Sequence, residues 1–332
     1  APFNYILPSR IKFYEEQYDT VVRSGGSLKQ MDRERSLQVL MRINLLKRLE
    51  SSVDAFRITL SKMLEKINAT LDLIDSYNDA AAPRAFAHTE FDAVNLDDDD
   101  WLDEDYNIGG NIRINLSDMD RLRWREDLER DRKVFVSLLK EMEKITPEHD
   151  EKLATLKKVI AHKINNPINP GNRIILIFTA FADTAAYLYR HISFYVKNAF
   201  GLETAKVVGS NENKATIKIK NDLHTILTCF SPKAKEKHLT MPDLKGELDI
   251  LIATDCISAG QNLQDCDYLI NYDIHWNPVR IVQRFGRIDR IGSQNTVIQL
   301  VNFWPNMTLD EYIRLKERVE NRMVIMDMTA TG

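Results

Sequence analysis

At 332 residues with 44% apolar composition, the chain is long enough for two folded domains, and no apolar run approaches the ~18 residues of a membrane span. The net charge of −4 is misleading: residues 89–105, TEFDAVNLDDDDWLDED, hold nine acidic and no basic side chains, and setting them aside turns the balance to +5. Such a body permits nucleic-acid binding without arguing for it. Cys229, Cys256 and Cys266 have neither paired nor metal-ligand spacing, so a disulfide scaffold is excluded and buried thiols in a reducing, cytoplasmic compartment are expected.

The first residues, APFNYILPSRIKFYEE, lack the apolar core of a secretory signal. From 33 to 77, apolar residues recur in steps of three and four through Leu37, Leu40, Leu49, Val53, Phe56, Leu60, Met63, Ile67, Leu71 and Ile74. That period predicts a long helix with a bend near Ser51 and Ser52. The stripe is either a coiled-coil seam or the core face of a helical subdomain. The acidic stretch 89–105 reads as a loop, solvated or a nucleic-acid mimic. Residues 117–145 predict a helix with Ser117 or Asp118 as cap, and Pro147 to Lys163 another, before a turn-rich linker, NNPINPGN.

Beyond residue 170 the period changes. RIILIFTAF (173–181) is a continuous apolar run of the kind a strand buried on both faces shows. A helix over ADTAAYLYRHISFYVKNA follows, then a strand at AKVVGS, a helix near 220–230, strands at LDILIATD and YLINYDI, an arginine-rich helix, and a strand at VIQLVNF. A last helix is expected from about Thr308. Alternating strands and helices predict a doubly wound parallel sheet, with ligands at the carboxyl ends of its strands.

The arginine-rich stretch NPVRIVQRFGRIDRIGSQ (277–294) carries four arginines. At about 100° per residue, Arg280, Gln283, Arg287 and Arg290 share one side, and Pro278, Ile281, Val282, Phe285 and Ile288 the other. Gly286 inside a helix costs about 1 kcal/mol and leaves room for close approach. By itself this is a basic amphipathic surface helix or an anion-binding one. Its neighbours narrow the choice. ILIATDCISAGQNLQ (250–264) ends a strand with Thr254, Asp255, Ser258, Gly260 and Asn262; NYDIHWNP (271–278) ends the next with Trp276 and Asn277. Seven scattered histidines without H-E-x-x-H spacing give no metal site, and Ser258 has no His/Asp arrangement for a nucleophile. Trp276 either stacks on a base or sugar or packs beside Pro278. The basic run SPKAKEKH (231–238) is either solvated or a phosphate contact.

Together, LIATDCISAGQNLQDCDYLINYDIHWNPVRIVQRFGRIDRIGSQ resembles motifs V and VI of superfamily 2 helicases, most of all the Swi/Snf-related translocases and their bacterial relatives. FTAFADTAAYLYRHI resembles motif IV, and LLKRLESSVDAFR is similar to the helical segment that precedes this lobe in bacterial Swi/Snf-like helicases. The resemblance implies an α/β chain: a mostly helical subdomain over 1–170, then a C-terminal RecA-like lobe over 171–332 with a closing helix. It implies ATP with Mg²⁺ held chiefly by an N-terminal RecA-like lobe, and nucleic acid, double-stranded DNA above all, as the track. Arg287 and Arg290 match the arginine fingers; Gln283, Gly260 and Asn262 match positions near ATP. Thr179, Thr254, Ser258, Trp276 and Asn277 match positions that hold the nucleic-acid backbone. QRFGRIDR departs from the Swi/Snf pattern by an extra cation, Arg284, which faces either Asp289 or solvent. No G-x-x-x-x-G-K-[ST] loop occurs in the sequence. The chain is therefore expected to be part of a longer motor, or to meet its first lobe on a separate chain, and to be inactive alone. The alternative is a binding or scaffold module that keeps the fold without the chemistry.

Overall fold

The structure, a computed structural model, describes residues 2–21, 27–77, 85–88, 112–209, 212–257, 261–275, 278–290 and 292–304. The acidic loop and the expected last helix lie outside them. Contacts divide the chain into two compact units, Ala1–Lys47 with Phe56–Lys144, and Arg48–Ala55 with Ile145–Gly332.

The first unit contains α1 (Ile11–Tyr18), an antiparallel pair β1 (Thr20–Val21) and β2 (Ser27–Leu28), and most of α2 (Gln30–Ser51) and α3 (Val53–Asp75). It also contains a second antiparallel pair, β3 (Ala85–His88) with β4 (Ile112–Asn115), and α4 (Arg121–Met142). Phe3, Ile6, Tyr14, Ile74, Ile114, Leu116, Met119 and Trp124 form its core. The long helical stripe does break at Ser51–Ser52, because the Ser52 hydroxyl accepts the Ala55 N–H at 3.1 Å and starts a new helix. Ser117 and Asp118 form a 3₁₀ turn instead of a cap; Asp120 caps α4, accepting from the Arg123 N–H.

The second unit opens with α5 (Glu151–Asn165), capped by Asp150, which accepts from Leu153 N–H at 2.8 Å. There follow β5 (Ile175–Phe178), α6 (Ala182–Phe200), β6 (Thr204–Val207), β7 (Lys214–Ala215), α7 (Leu223–Phe230) and α8 (Lys237–Thr240). The last elements are β8 (Ile250–Ala253), β9 (Tyr268–Asn271), α9 (Pro278–Phe285) and β10 (Gln299–Asn302). The six strands run β10-β9-β5-β8-β6-β7, all parallel except the short edge strand β7. Alternate residues serve opposite faces. Ile175, Ile177, Ile250 and Ile252 meet Leu188, Ile192 and the α5 residues Leu156 and Ile160. Leu176, Phe178, Leu251 and Ala253 meet Ile226, Leu227, Phe230 and Ile288.

The division falls at 144/145, not at 170, because α5 buries Leu153, Leu156, Ile160 and Ile164 in the sheet's own core. NNPINPGN is likewise part of this unit rather than a linker. Asn169 is buried, its amide donates to Asp267 and to the Val297 carbonyl at 2.8 Å each, and Asp267 lies 2.7 Å from the fully buried Lys163 ammonium. Ile160→Ala should therefore destabilise the second unit by about 2–4 kcal/mol and leave the first unit's transition in place. Urea unfolding followed by separate probes in each unit checks this; loss from the first unit's transition instead would return α5 to the helical subdomain.

Burial bears out the structural reading of the cysteines. Cys229 and Cys266 are buried and Cys256 is half-buried, all as free thiols. Burial pushes the Cys266 thiol up to about 12, which makes it inert at neutral pH. No helix among the described residues is long and apolar enough to cross a membrane.

Candidate functional site

Parallel register fixes the site. Phe178 stands opposite both Ala253 and Asn271, so the residues after β5, β8 and β9 emerge on one rim. Thr179 N–H donates to the Ala253 carbonyl and Tyr272 N–H to the Phe178 carbonyl, extending the ladders by one step.

Asp273, just past β9, is the rim's anchor. Its carboxylate accepts from Thr179 Oγ1 at 2.5 Å, Ser51 Oγ at 2.7 Å, Ala180 N–H at 3.1 Å and Lys152 Nζ at 3.1 Å. Burial alone would raise its pKa; the Lys152 charge and then the hydrogen bonds from Thr179, Ser51 and Ala180 hold it below the ordinary aspartate value. Ser51 also shares a hydrogen bond with Thr184 at 2.6 Å, and Arg48 pairs with Asp183 at 2.9 Å. The RLESS turn thus docks on the start of α6 because its serines and arginine complete this polar cluster.

Arg284 is the second anchor, and it contradicts the sequence expectation. It faces neither Asp289 nor solvent: it is 1% exposed, and its guanidinium forks onto Asp255 at 2.7 and 2.5 Å. Its remaining Nη donates to Asn271 Oδ1 at 2.9 Å and the Asp273 carbonyl at 3.2 Å, and its plane lies 4.9 Å from the Phe178 ring centre. Burial works against ionised Asp255, but the Arg284 hydrogen bonds and charge, with His275 and Arg280, hold its pKa low. Only a planar fork can serve a carboxylate, an amide and a carbonyl at once. One residue therefore ties the ends of β8 and β9 to α9.

α9 begins at Pro278, where the missing N–H costs nothing, and ends at Phe285. The chain then tightens: Arg287 N–H donates to the Arg284 carbonyl and Ile288 N–H to that of Phe285. Gly286 sits in this turn beyond the helix, and a Cβ there would meet only the Val282 and Gln283 carbonyls, the nearer at 3.4 Å. Among the described residues no other backbone packs within 4 Å of that position. Ile281 and Ile288 are buried and Phe285 half-buried, but Val282 is 51% exposed, so the packing face is narrower than the wheel implied.

The tightened turn brings motif VI to the loop after β8. Leu263 N–H donates to the Arg287 carbonyl at 3.0 Å, and Arg290 donates to Asn262 Oδ1 and to the Gly286 carbonyl. Arg287 is 8% exposed and Arg290 half-buried. Burial lowers the Arg287 pKa; Asp255 opposes this, and Arg284, Arg290 and Arg280 add to it. The geometry therefore concentrates positive charge at one spot, which is what an anion site needs. Gln283 is exposed on α9. Ser258, Gly260, Trp276 and Asn277 lie outside the described residues.

Two expected backbone-binding hydroxyls receive different surroundings. Thr179 is fully buried with its hydroxyl committed to Asp273, so it offers nothing to a phosphate and acts as a scaffold. Thr254 is 3% exposed at the end of β8, its N–H donating to the Val207 carbonyl. The sequence missed Asp273, Ser51 and Lys152 as partners because they come from segments 121 to 222 residues apart.

Residues 151–292 match the family described as Helicase conserved C-terminal domain. An uncharacterized ATP-dependent helicase, YqhH, of Bacillus subtilis is 45% identical over 74 residues, 22% of this chain and 13% of that protein. The ATP-dependent RNA helicase DBP8 of Lodderomyces elongisporus is 23% identical over 163 residues, 45% of this chain and 36% of that protein. Among solved structures, the C-terminal part of the Fun30 ATPase domain aligns over 80% of this chain and 72% of its own, at a TM-score of 0.36 and 16% identity. The chain thus spans well under half the length of these curated relatives. Residues 151–292, a doubly wound sheet with the loops after β5, β8 and β9 on one rim, are thus similar to the C-terminal domain of helicases.

Proposed function

We propose that this lobe is the second half of an ATP-dependent, Swi/Snf-related translocase that moves on double-stranded DNA. ATP and Mg²⁺ are held by an N-terminal RecA-like lobe, and Arg287 and Arg290 act as arginine fingers on the transferring phosphoryl group. The observation that carries this reading is the contrast between Arg284, neutralised by Asp255, and Arg290, held only by the neutral oxygens of Asn262 and Gly286 among the described residues. Charge that the fold has already spent is structural; charge left over is available to a ligand. Planar guanidinium suits the equatorial oxygens of a metaphosphate-like transition state. The nucleic-acid backbone is read without sequence preference, as a motor requires.

The chain alone should bind nucleotide weakly and hydrolyse none, because a few lobe-two contacts cannot offset the cost of fixing a ligand without a phosphate cradle. Turnover assays on the chain alone, and on the chain joined to a lobe carrying the phosphate-binding loop, test this with duplex DNA and single-stranded RNA as stimulants. Hydrolysis only in the joined protein, stimulated by duplex DNA, is expected. Turnover by the chain alone that survives repurification and is lost in Arg287→Ala overturns it; stimulation by RNA alone overturns the choice of track.

A further inference from the structure

The three lysines of SPKAKEKH diverge. The loop is pinned because the Asp265 carboxylate accepts the Lys233 N–H at 2.7 Å and the Ala234 N–H at 3.0 Å. Lys237 is buried, its ammonium on the Gly246 carbonyl, and serves the loop itself. Lys233 is exposed and reaches Gln294 Oε1 at 3.0 Å. Lys235 alone turns to the loop after β8, where its ammonium donates to Gln261 Oε1. The next residue, Asn262, is the acceptor for Arg290. Two cations from separate segments are thus parked on adjacent carboxamides.

Partner chemistry distinguishes them from the ion-paired cations of this unit, and their placement on adjacent carboxamides from Lys233 and Lys237, which rest on separate neutral oxygens. Arg48, Lys152, Lys163, Arg190, Lys197 and Arg284 each have a carboxylate within 3.1 Å. Lys235 and Arg290 have none within ion-pair range among the described residues, only neutral oxygens. A phosphate oxygen is a stronger, charge-assisted acceptor than an amide and would displace it. Burial and the nearby Arg290 charge lower the Lys235 pKa, so the pair repel each other in the state described, and an anion between them would relieve that repulsion.

We propose that Lys235 is a further polyphosphate-binding residue, forming with Arg290 a subsite for non-bridging phosphate oxygens beside the arginine fingers. This deepens the nucleotide reading above and rests on it. Lys235 lies outside motifs V and VI.

Inorganic tripolyphosphate is the probe, titrated against the 332-residue chain at low ionic strength and read by thermal shift. Lys235→Gln and Arg290→Gln should each raise the apparent Kd about five- to tenfold, and Lys235→Arg should restore it to within about twofold. Lys233→Gln, on the same loop, should leave it unchanged. Melting temperatures without ligand should match across the set, so that a merely structural role would not produce the pattern. If Arg290→Gln weakens tripolyphosphate binding and Lys235→Gln does not, the Lys235 assignment is wrong and the finger reading stands. If neither variant matters, or tripolyphosphate gives no shift up to about 20 mM, the subsite is wrong, while the finger reading is decided by kcat in the joined motor. Weaker binding of a short DNA duplex by Lys235→Gln, with tripolyphosphate unaffected, would move Lys235 to the track and overturn the proposal.

Discussion

Replacing Arg287 or Arg290 by alanine in the joined motor should cut ATP turnover by about 10³-fold or more while leaving its affinity for duplex DNA within about twofold. The proposed target is charge that develops on the phosphoryl group, and interactions made mainly in the transition state lower kcat rather than ground-state binding. Two features make the effect large. Both side chains sit on a turn fixed to the loop after β8, by the Leu263 N–H on the Arg287 carbonyl and by Arg290 on Asn262, so neither has to be ordered at the moment of reaction. Arg287 also lies among other arginines: burial lowers its pKa, Asp255 opposes this, and the charges of Arg284, Arg290 and Arg280 add to it, a surplus of cations that a phosphate would offset. Lysine at Arg290 should recover only part of the rate, because a point charge cannot span two oxygens. Saturating-substrate kcat and fluorescence anisotropy on labelled duplex decide the matter. A variant that hydrolyses ATP normally but has lost DNA would make this turn a nucleic-acid clamp.

Much of this fold is legible in the sequence, and the exceptions have physical causes. ILIF, ILIA and YLIN read as buried strands because each is apolar at every position facing a core, on both faces of the sheet, until the polar Asn271. β7 is invisible because two residues, Lys214 and Ala215, have no period, and only pairing with β6 makes them a strand. α5 looks like the helical region before it because amphipathic helices share one pattern; only the partner of Leu156 and Ile160 assigns it to the sheet. In the site, arginines aligned on one side were visible, but their division of labour was not. Arg284 stands only about 60° from the buried Ile281 on the helical wheel, at the edge of the packed stripe. That position, with Asp255 just beyond a strand, is the signal that marked it for burial. The fate of Thr179 had no comparable signal, since its partner Asp273 is 94 residues away.

The largest loss of stability should come from Arg284, a residue that does no chemistry. Arg284→Ala leaves the Asp255 carboxylate, Asn271 Oδ1 and the Asp273 carbonyl without their shared donor in a site where the arginine was 1% exposed. Breaking one side of a buried ion pair costs about 3–5 kcal/mol, most of it the penalty of the charge left behind. Arg284→Lys should recover less than half of that, because one ammonium cannot reach a bidentate carboxylate and a carboxamide together. The pH dependence identifies the cause. Asp255 has a folded-state pKa below its unfolded value, so its contribution is present above the unfolded pKa, about 4. It is lost as pH falls through the folded value, because the unfolded chain then binds the proton first. In Arg284→Ala the Asp255 pKa should rise, and the stability difference from the parent chain should shrink as the pH is lowered through that range. Urea unfolding of the second unit between about pH 3 and 7 measures both quantities. A loss below about 1 kcal/mol at neutral pH, or a difference independent of pH, would show that the Asp255 pair does not hold α9 to the rim. The same variant should also lose turnover, since the turn carrying Arg287 and Arg290 begins at the Arg284 carbonyl. Unlike the loss in Arg287→Ala, that deficit should lessen when the temperature is lowered and the folded population restored.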